Sequence, residues 1–220
     1  MKMCVMPLIC VLVALAQAQE PAPPSVLLPI IVTDARHQPL AGLSPASLII
    51  SEHKTAITDF KLLNGSNQPL ELGILLDTSN SERNGSFVRI VESSKAFVNK
   101  VLRGSGDRVF FSTVSTTVQS TGWMTREQIG GLSLKIGIGG GTAIYDSVAL
   151  ACKERMGPID RNHPTRRLLV VVSDGEDNMS HVTWEQAGSE ALTSGVVLFT
   201  LSDAKLVYAR SRRENTRKVG

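Results

Sequence analysis

Between residues 70 and 201 the sequence alternates two hydrophobic patterns, and the alternation predicts its architecture. One is a short, mostly apolar run: LELGILLD (70–77), RVFFSTV (108–114), RRLLVVVSD (166–174) and VVLFTL (196–201). Runs of this kind are strands buried on both faces. The other pattern is longer and apolar on one side. Over 86–102, Phe87, Ile90, Val91, Ser94, Phe97, Val98, Val101 and Leu102 fall on one helical stripe. Further helices are predicted over 143–156 and 183–193, with a weaker one near 125–134. VQSTGW (118–123) is placed as an edge strand beside 108–114. Buried strands separated by helices imply an α/β domain whose parallel sheet is covered on both faces. In such sheets ligands bind beyond the C-terminal strand ends, where the strand order reverses. Asp77 and Asp174 each follow a buried strand, which puts two carboxylates on one rim.

Before residue 70 the period is shorter. VLLPIIVTD, LIISEH and AITDFKLL read as short strands, with a turn through 35–39. They define a small β module over 26–66, closed by Asn64, Gly65 and Ser66. Fewer than about 40 residues of β-structure rarely fold alone, so this module is expected to lean on the domain that follows, 67–220. Residues 19–25, QEPAPPS, form a Pro-rich linker. The first 18 residues combine Lys2, an apolar run and the small-x-small pattern of Ala16, Gln17 and Ala18. This is the pattern of a secretory signal peptide cleaved after Ala18. The run is shorter than the roughly 20 apolar residues of a membrane span. The expected product is extracytoplasmic, either periplasmic or secreted, with no membrane span.

Composition narrows the function. Of the 220 residues, 42% are hydrophobic and 20% charged, enough for a packed core and too balanced for wholesale disorder. The net charge of +3 is partly concentrated in RSRRENTRK (210–218), so no general nucleic-acid surface is implied. Cys4 and Cys10 leave with the signal, and Cys152 alone remains, which excludes an intrachain disulfide in the mature chain. Ile144, Val148, Ala151 and Cys152 share a helical face, so Cys152 is read as a buried structural thiol.

Asp77, Ser79 and Ser81 follow one strand, Thr142 closes the glycine loop GIGGGT (137–142), and Asp174 ends another strand. All five offer hard oxygen, which suits Mg²⁺, Mn²⁺ or Ca²⁺ rather than zinc or copper. The four histidines are dispersed, with no Cys or His at zinc-ligand spacing. The glycine loop does not satisfy G-x-G-x-x-G, because Thr142 takes the last position, and no G-x-x-x-x-G-K-[ST] is present. An Asp after a buried strand also admits a Mg²⁺-dependent hydrolase or phosphatase with Asp77 as nucleophile.

DTSNS (77–81) resembles the D-x-S-x-S signature of the von Willebrand factor type A domain. GGGTAIYDS (139–147) resembles the segment carrying that family's metal-binding Thr, and VVVSDGEDN (170–178) the strand and loop carrying its last Asp. The segment before them resembles the small β module that precedes bacterial VWFA-related domains. The resemblance implies an open, doubly wound, Rossmann-like sheet with a metal-ion-dependent adhesion site on its rim. Asp77, Ser79, Ser81, Thr142 and Asp174 would be the ligands of Mg²⁺ or Mn²⁺, with Ca²⁺ ranking behind. Glycines 139–141 would let the loop bearing Thr142 move. Asn80 stands where Gly is common in the family, and the domain is short after VVLFTL.

Charge supplies the expected mechanism. Two carboxylates neutralise a divalent ion while hydroxyls add none, so the metal stays electrophilic and accepts a carboxylate from a partner protein. The expectation is a non-enzymatic binding and adhesion module. An envelope protein with a vestigial site stands beside the hydrolase as an alternative. The short C-terminal region predicts self-association through the 196–201 edge.

Overall fold

The structure is a computed structural model and describes residues 27–78, 86–115, 118–132, 140–173 and 177–201. The expected signal peptide and linker, Ser79, Ser81, Asp174 and the tail 202–220 lie outside the described residues.

Among the described residues four parallel strands form the main sheet: β3 (Leu70–Asp77), β4 (Arg108–Val114), β5 (Arg166–Val172) and β6 (Val196–Leu201), in the order β4-β3-β5-β6. Among the described residues three helices cover it: α1 (Ser86–Val101), α2 (Ile144–Leu150), which continues as a π-helical turn over Ala151–Met156, and α3 (Trp184–Thr193). Alternation along β3 divides the core. Leu70, Leu72, Ile74 and Leu76 face α1 and pack with Phe87, Val91, Val98 and Leu102. On the other face Leu75, Phe110, Leu169 and Val171 pack against Val148, Cys152, Ala187 and Ala191 of the α2 and α3 layer. Burial pushes the Cys152 thiol up to about 12, so it is an inert core group.

Gly73 makes the second face possible. A Cβ there would lie 2.4 Å from Leu169 Cδ1 and 2.6 Å from Phe110 Cζ, so the flanking strands close over it.

The chain passes from β3 to β4 on one side, then returns across the sheet to β5 and β6 on the other. With right-handed crossovers this reversal puts α1 on one face and α2 and α3 on the other. The reversal falls between β3 and β5, whose C-terminal ends carry Asp77 and Ser173.

Residues 119–124 run antiparallel along β4, with bridges Ser112–Ser120 and Val109–Met124, as the edge reading of 118–123 predicts. The weak helix near 125–134 is a 3-10 helix, Arg126–Gly131, opened by a Thr125–Gln128 capping box.

The module before residue 70 is slighter than its pattern implies. LIISEH and AITDFKLL supply β1 (Ile50–Glu52) and β2 (Thr55–Ile57), joined through His53 and Lys54 at positive φ. VLLPIIVTD is not a strand; it contributes one bridge, Thr33–Pro39. Pro29 has no N–H to give a ladder, and the Asp34 carboxylate draws the chain into a tight turn by accepting from Arg36 and Gln38 N–H groups. None of residues 27–69 is buried, and Ile49 is 98% exposed, so the expected leaning on the larger domain adds nothing to its core. The junction does touch it, since Arg166 Nε donates to Gln68 O at 3.1 Å.

The N-terminal pole of the sheet is built from buried charge. Glu71, 4% exposed, accepts from Arg167 Nε at 2.9 Å and from Arg108. Arg167 Nη1 also donates to the carbonyls of Gly157, Pro158 and Ser194. This pins the end of the α2 layer to the start of β5.

Candidate metal centre

That pin fixes where α2 begins. The helical run 144–156 rises about 1.5 Å per residue, and β5 about 3.3 Å per residue, so the two have similar lengths. With Gly157 at the N-terminal pole, the head of α2 stands at the C-terminal rim. Thr142, just before it, therefore shares the rim with Asp77.

Asp77 ends β3 opposite Val114 of β4, one step beyond the Leu76–Val172 pair with β5. Its side chain is fully buried, and Ser173 Oγ donates to Asp77 Oδ2 at 2.5 Å. Thr142 is 3% exposed and Ser173 8%. The Thr78 hydroxyl is buried at the same strand end and has no hydrogen-bond partner among the described residues. The rim thus concentrates buried oxygen, including an orphaned hydroxyl, at the topological switch point. A hard divalent cation fits this donor chemistry. Among the described residues no three His, Cys, Asp or Glu side chains gather as a metal site.

Of the five residues predicted as ligands, Asp77 and Thr142 lie on this rim, while Ser79, Ser81 and Asp174 lie outside the described residues.

The Thr142 segment is held by residues that lie far along the chain. Thr142 N donates to Asn178 Oδ1 at 3.0 Å, and Thr142 O accepts from Asn178 N at 3.0 Å and Met179 N at 3.1 Å. A Cβ on Gly141 would lie 2.2 Å from Met179 Cγ and 2.8 Å from Asn178 Oδ1. Gly141 therefore serves close packing, not the freedom expected of glycines 139–141. Gly140, at φ 95, does occupy a glycine conformation.

Two carboxylates complete the attachment. The N-cap of α2 is Ala143, which has no capping side chain. Asp177 substitutes for it, its Oδ2 accepting from Tyr145 N at 3.0 Å and from Ser180 Oγ at 2.6 Å. In return, Asp146 Oδ1 accepts from the N–H groups of His181 and Val182, both at 2.9 Å, and Asp146 N donates to Ser180 Oγ at 3.1 Å. Burial works against both carboxylates. Hydrogen bonds outweigh it and hold both below the usual carboxylate range, from Val182 and His181 at Asp146, and from Ser180, Tyr145 and Ile144 at Asp177.

Proximal thread matrix protein 1 from the mussel byssus, solved with a zinc-occupied MIDAS motif, superposes with a TM-score of 0.51 at 20% identity, over 61% of this chain and 36% of that one. An aerotolerance-related membrane protein from Bacteroides fragilis gives 0.45 at 20% identity, over 60% of this chain and 67% of that one. The pilus adhesin SpaC from Lactobacillus rhamnosus GG gives 0.41 at 15% identity, over 50% of this chain and 15% of that one. No protein-family profile matches the sequence, and none of the curated proteins matches it significantly. The chain spans about a third of the mussel protein's length and a smaller part of the adhesin's. The likeness to the mussel protein establishes the fold: an open α/β sheet of the von Willebrand factor type A kind, preceded here by a small antiparallel β module.

Proposed function

We propose that this chain is an exported binding protein that holds one Mg²⁺ or Mn²⁺ on its rim and, through that ion, grips a carboxylate of a partner protein. Asp77, Ser79, Ser81, Thr142 and Asp174 would hold the metal. When bound, the ion supplies an electrophilic position that a partner carboxylate can take in place of water. The observation that carries this reading is the fully buried Asp77 carboxylate at the switch point, with Ser173 bonded to it and the Thr142 segment on the same rim. It also favours binding over hydrolysis: a nucleophile must reach its substrate, and Asp77 is covered and turned onto a hydroxyl. Assay with a generic phosphate ester separates the two, since a binding protein gives no turnover.

Thr142→Val keeps the shape of the side chain and removes its oxygen. A partner retained from envelope extract in Mg²⁺ should be released by chelator and retained poorly by Thr142→Val, with a melting temperature within a few degrees of wild type. Equal retention by Thr142→Val, or retention that chelator does not touch, would contradict the metal bridge.

A second contact involves another copy of the chain. β6 ends the order of strands among the described residues, and Leu198, Phe199 and Leu201 on it are 42%, 42% and 55% exposed. An apolar edge of this kind pairs with its own counterpart in another molecule. Light scattering is expected to report a dimer or larger species that Phe199→Lys shifts to monomer; a monodisperse wild-type monomer would dismiss the edge contact. Export rests on the N-terminal pattern, and among the described residues no helix is long and apolar enough to cross a membrane.

A further inference from the structure

We propose that Asp146 and Asp177 are positioning residues of the metal centre: their reciprocal bonds lock the head of α2 to residues 177–182 and so set where the Thr142 hydroxyl stands. The inference rests on the metal reading above and adds two residues outside the five proposed ligands.

The geometry has three parts. Asp177 reaches from the segment after β5 to cap Tyr145 of α2. Asp146 reaches back from α2 to the N–H groups of His181 and Val182. Ser180 Oγ joins the two, donating to Asp177 and accepting from Asp146 N. Inside this clasp the Thr142 N–H and C=O are both taken by Asn178 and Met179. Its backbone is therefore fixed, and χ1 is the one torsion left to aim the hydroxyl, in a residue whose branched Cβ restricts it.

Ser173, which precedes Asp177 by four positions in the sequence, is bonded to Asp77. Outer residues that orient a metal's ligands typically change its affinity about 10–100-fold when removed, although they never touch the ion.

Positioning can be told from simple charge attraction. Asn at position 146 keeps the Oδ1 acceptor for His181 and Val182 but carries no charge, whereas Ala removes both. Mn²⁺ titration followed by the electron paramagnetic resonance of the free ion is the test, with amide hydrogen exchange of the metal-free chain alongside.

Wild type should bind Mn²⁺, and Asp146→Asn should bind it within about threefold of wild type. Asp146→Ala should be weakened on the order of tenfold, with faster exchange at Tyr145, Met179 and Val182. Equal losses in Asp146→Asn and Asp146→Ala would show a charge effect and overturn the proposal. So would wild-type affinity in Asp146→Ala. Absence of Mn²⁺ binding in the wild type would instead overturn the metal reading, and this inference with it. If Asp146→Ala does not fold, Ser180→Ala, which breaks the joint of the clasp, replaces it with the same expectations.

Discussion

Asp77→Ala is expected to abolish binding of Mg²⁺ and Mn²⁺, the largest functional effect of any single change in this chain. The proposed donor set contains two carboxylates, Asp77 and Asp174. Removing one leaves a single negative charge against a divalent ion, at a strand end where Asp77 itself is fully buried. Neutral hydroxyls cannot replace that charge, and coulombic attraction is strongest where the surroundings are least polarisable. Asp77→Asn separates charge from shape: it keeps an oxygen to accept from Ser173 Oγ, so it should fold like wild type while binding metal no better than Asp77→Ala. Calorimetry reads both variants. Wild-type affinity in either would remove Asp77 from the centre.

The largest effect on stability is expected at the opposite pole. Glu71→Ala leaves Arg167, 8% exposed, without the carboxylate that its Nε donates to at 2.9 Å. An uncompensated buried charge of this kind costs about 3–5 kcal/mol. Arg108 adds less, because its side chain is 46% exposed and water screens it. For a domain of this size, 1 kcal/mol moves the melting temperature by about 2–4 °C, so Glu71→Ala should melt roughly 10 °C below wild type. Glu71→Gln retains an acceptor for Arg167 and should fall between the two. Thermal melts followed by circular dichroism check this, and an unchanged melting temperature in Glu71→Ala would show that the network contributes nothing.

β3 and β4 follow the predicted runs residue for residue, Leu70–Asp77 and Arg108–Val114, because a strand buried on both faces leaves little choice of boundary. Asp77 and Thr142 were legible for a related reason: a carboxylate after a buried strand and a Thr closing a glycine loop both report on the rim of an open sheet.

Glu71 was not legible. It sits inside LELGILLD as one polar letter, and its partners Arg108 and Arg167 lie 37 and 96 residues away in sequence. The clasp was hidden in the same way, because Asp146 and Asp177 each bond to segments more than 30 residues distant. A signal did exist, in that Ala143 leaves the α2 N-terminus without a capping side chain of its own. VLLPIIVTD misled because local β propensity cannot report whether a neighbouring strand is there to pair with. The His53–Lys54 turn carries none of the Asn-Gly or Asp-Gly signals that usually announce positive φ at both turn positions.

The central claim, that the rim between β3 and β5 is a cation site, is tested most directly by crystals grown with Mn²⁺ and measured for anomalous scattering. The account predicts one peak at the C-terminal end of β3, within bonding distance of the Asp77 carboxylate and on the side of Thr142. A map with no peak there, or with Mn²⁺ bound elsewhere while Asp77 keeps only its protein hydrogen bonds, would contradict it.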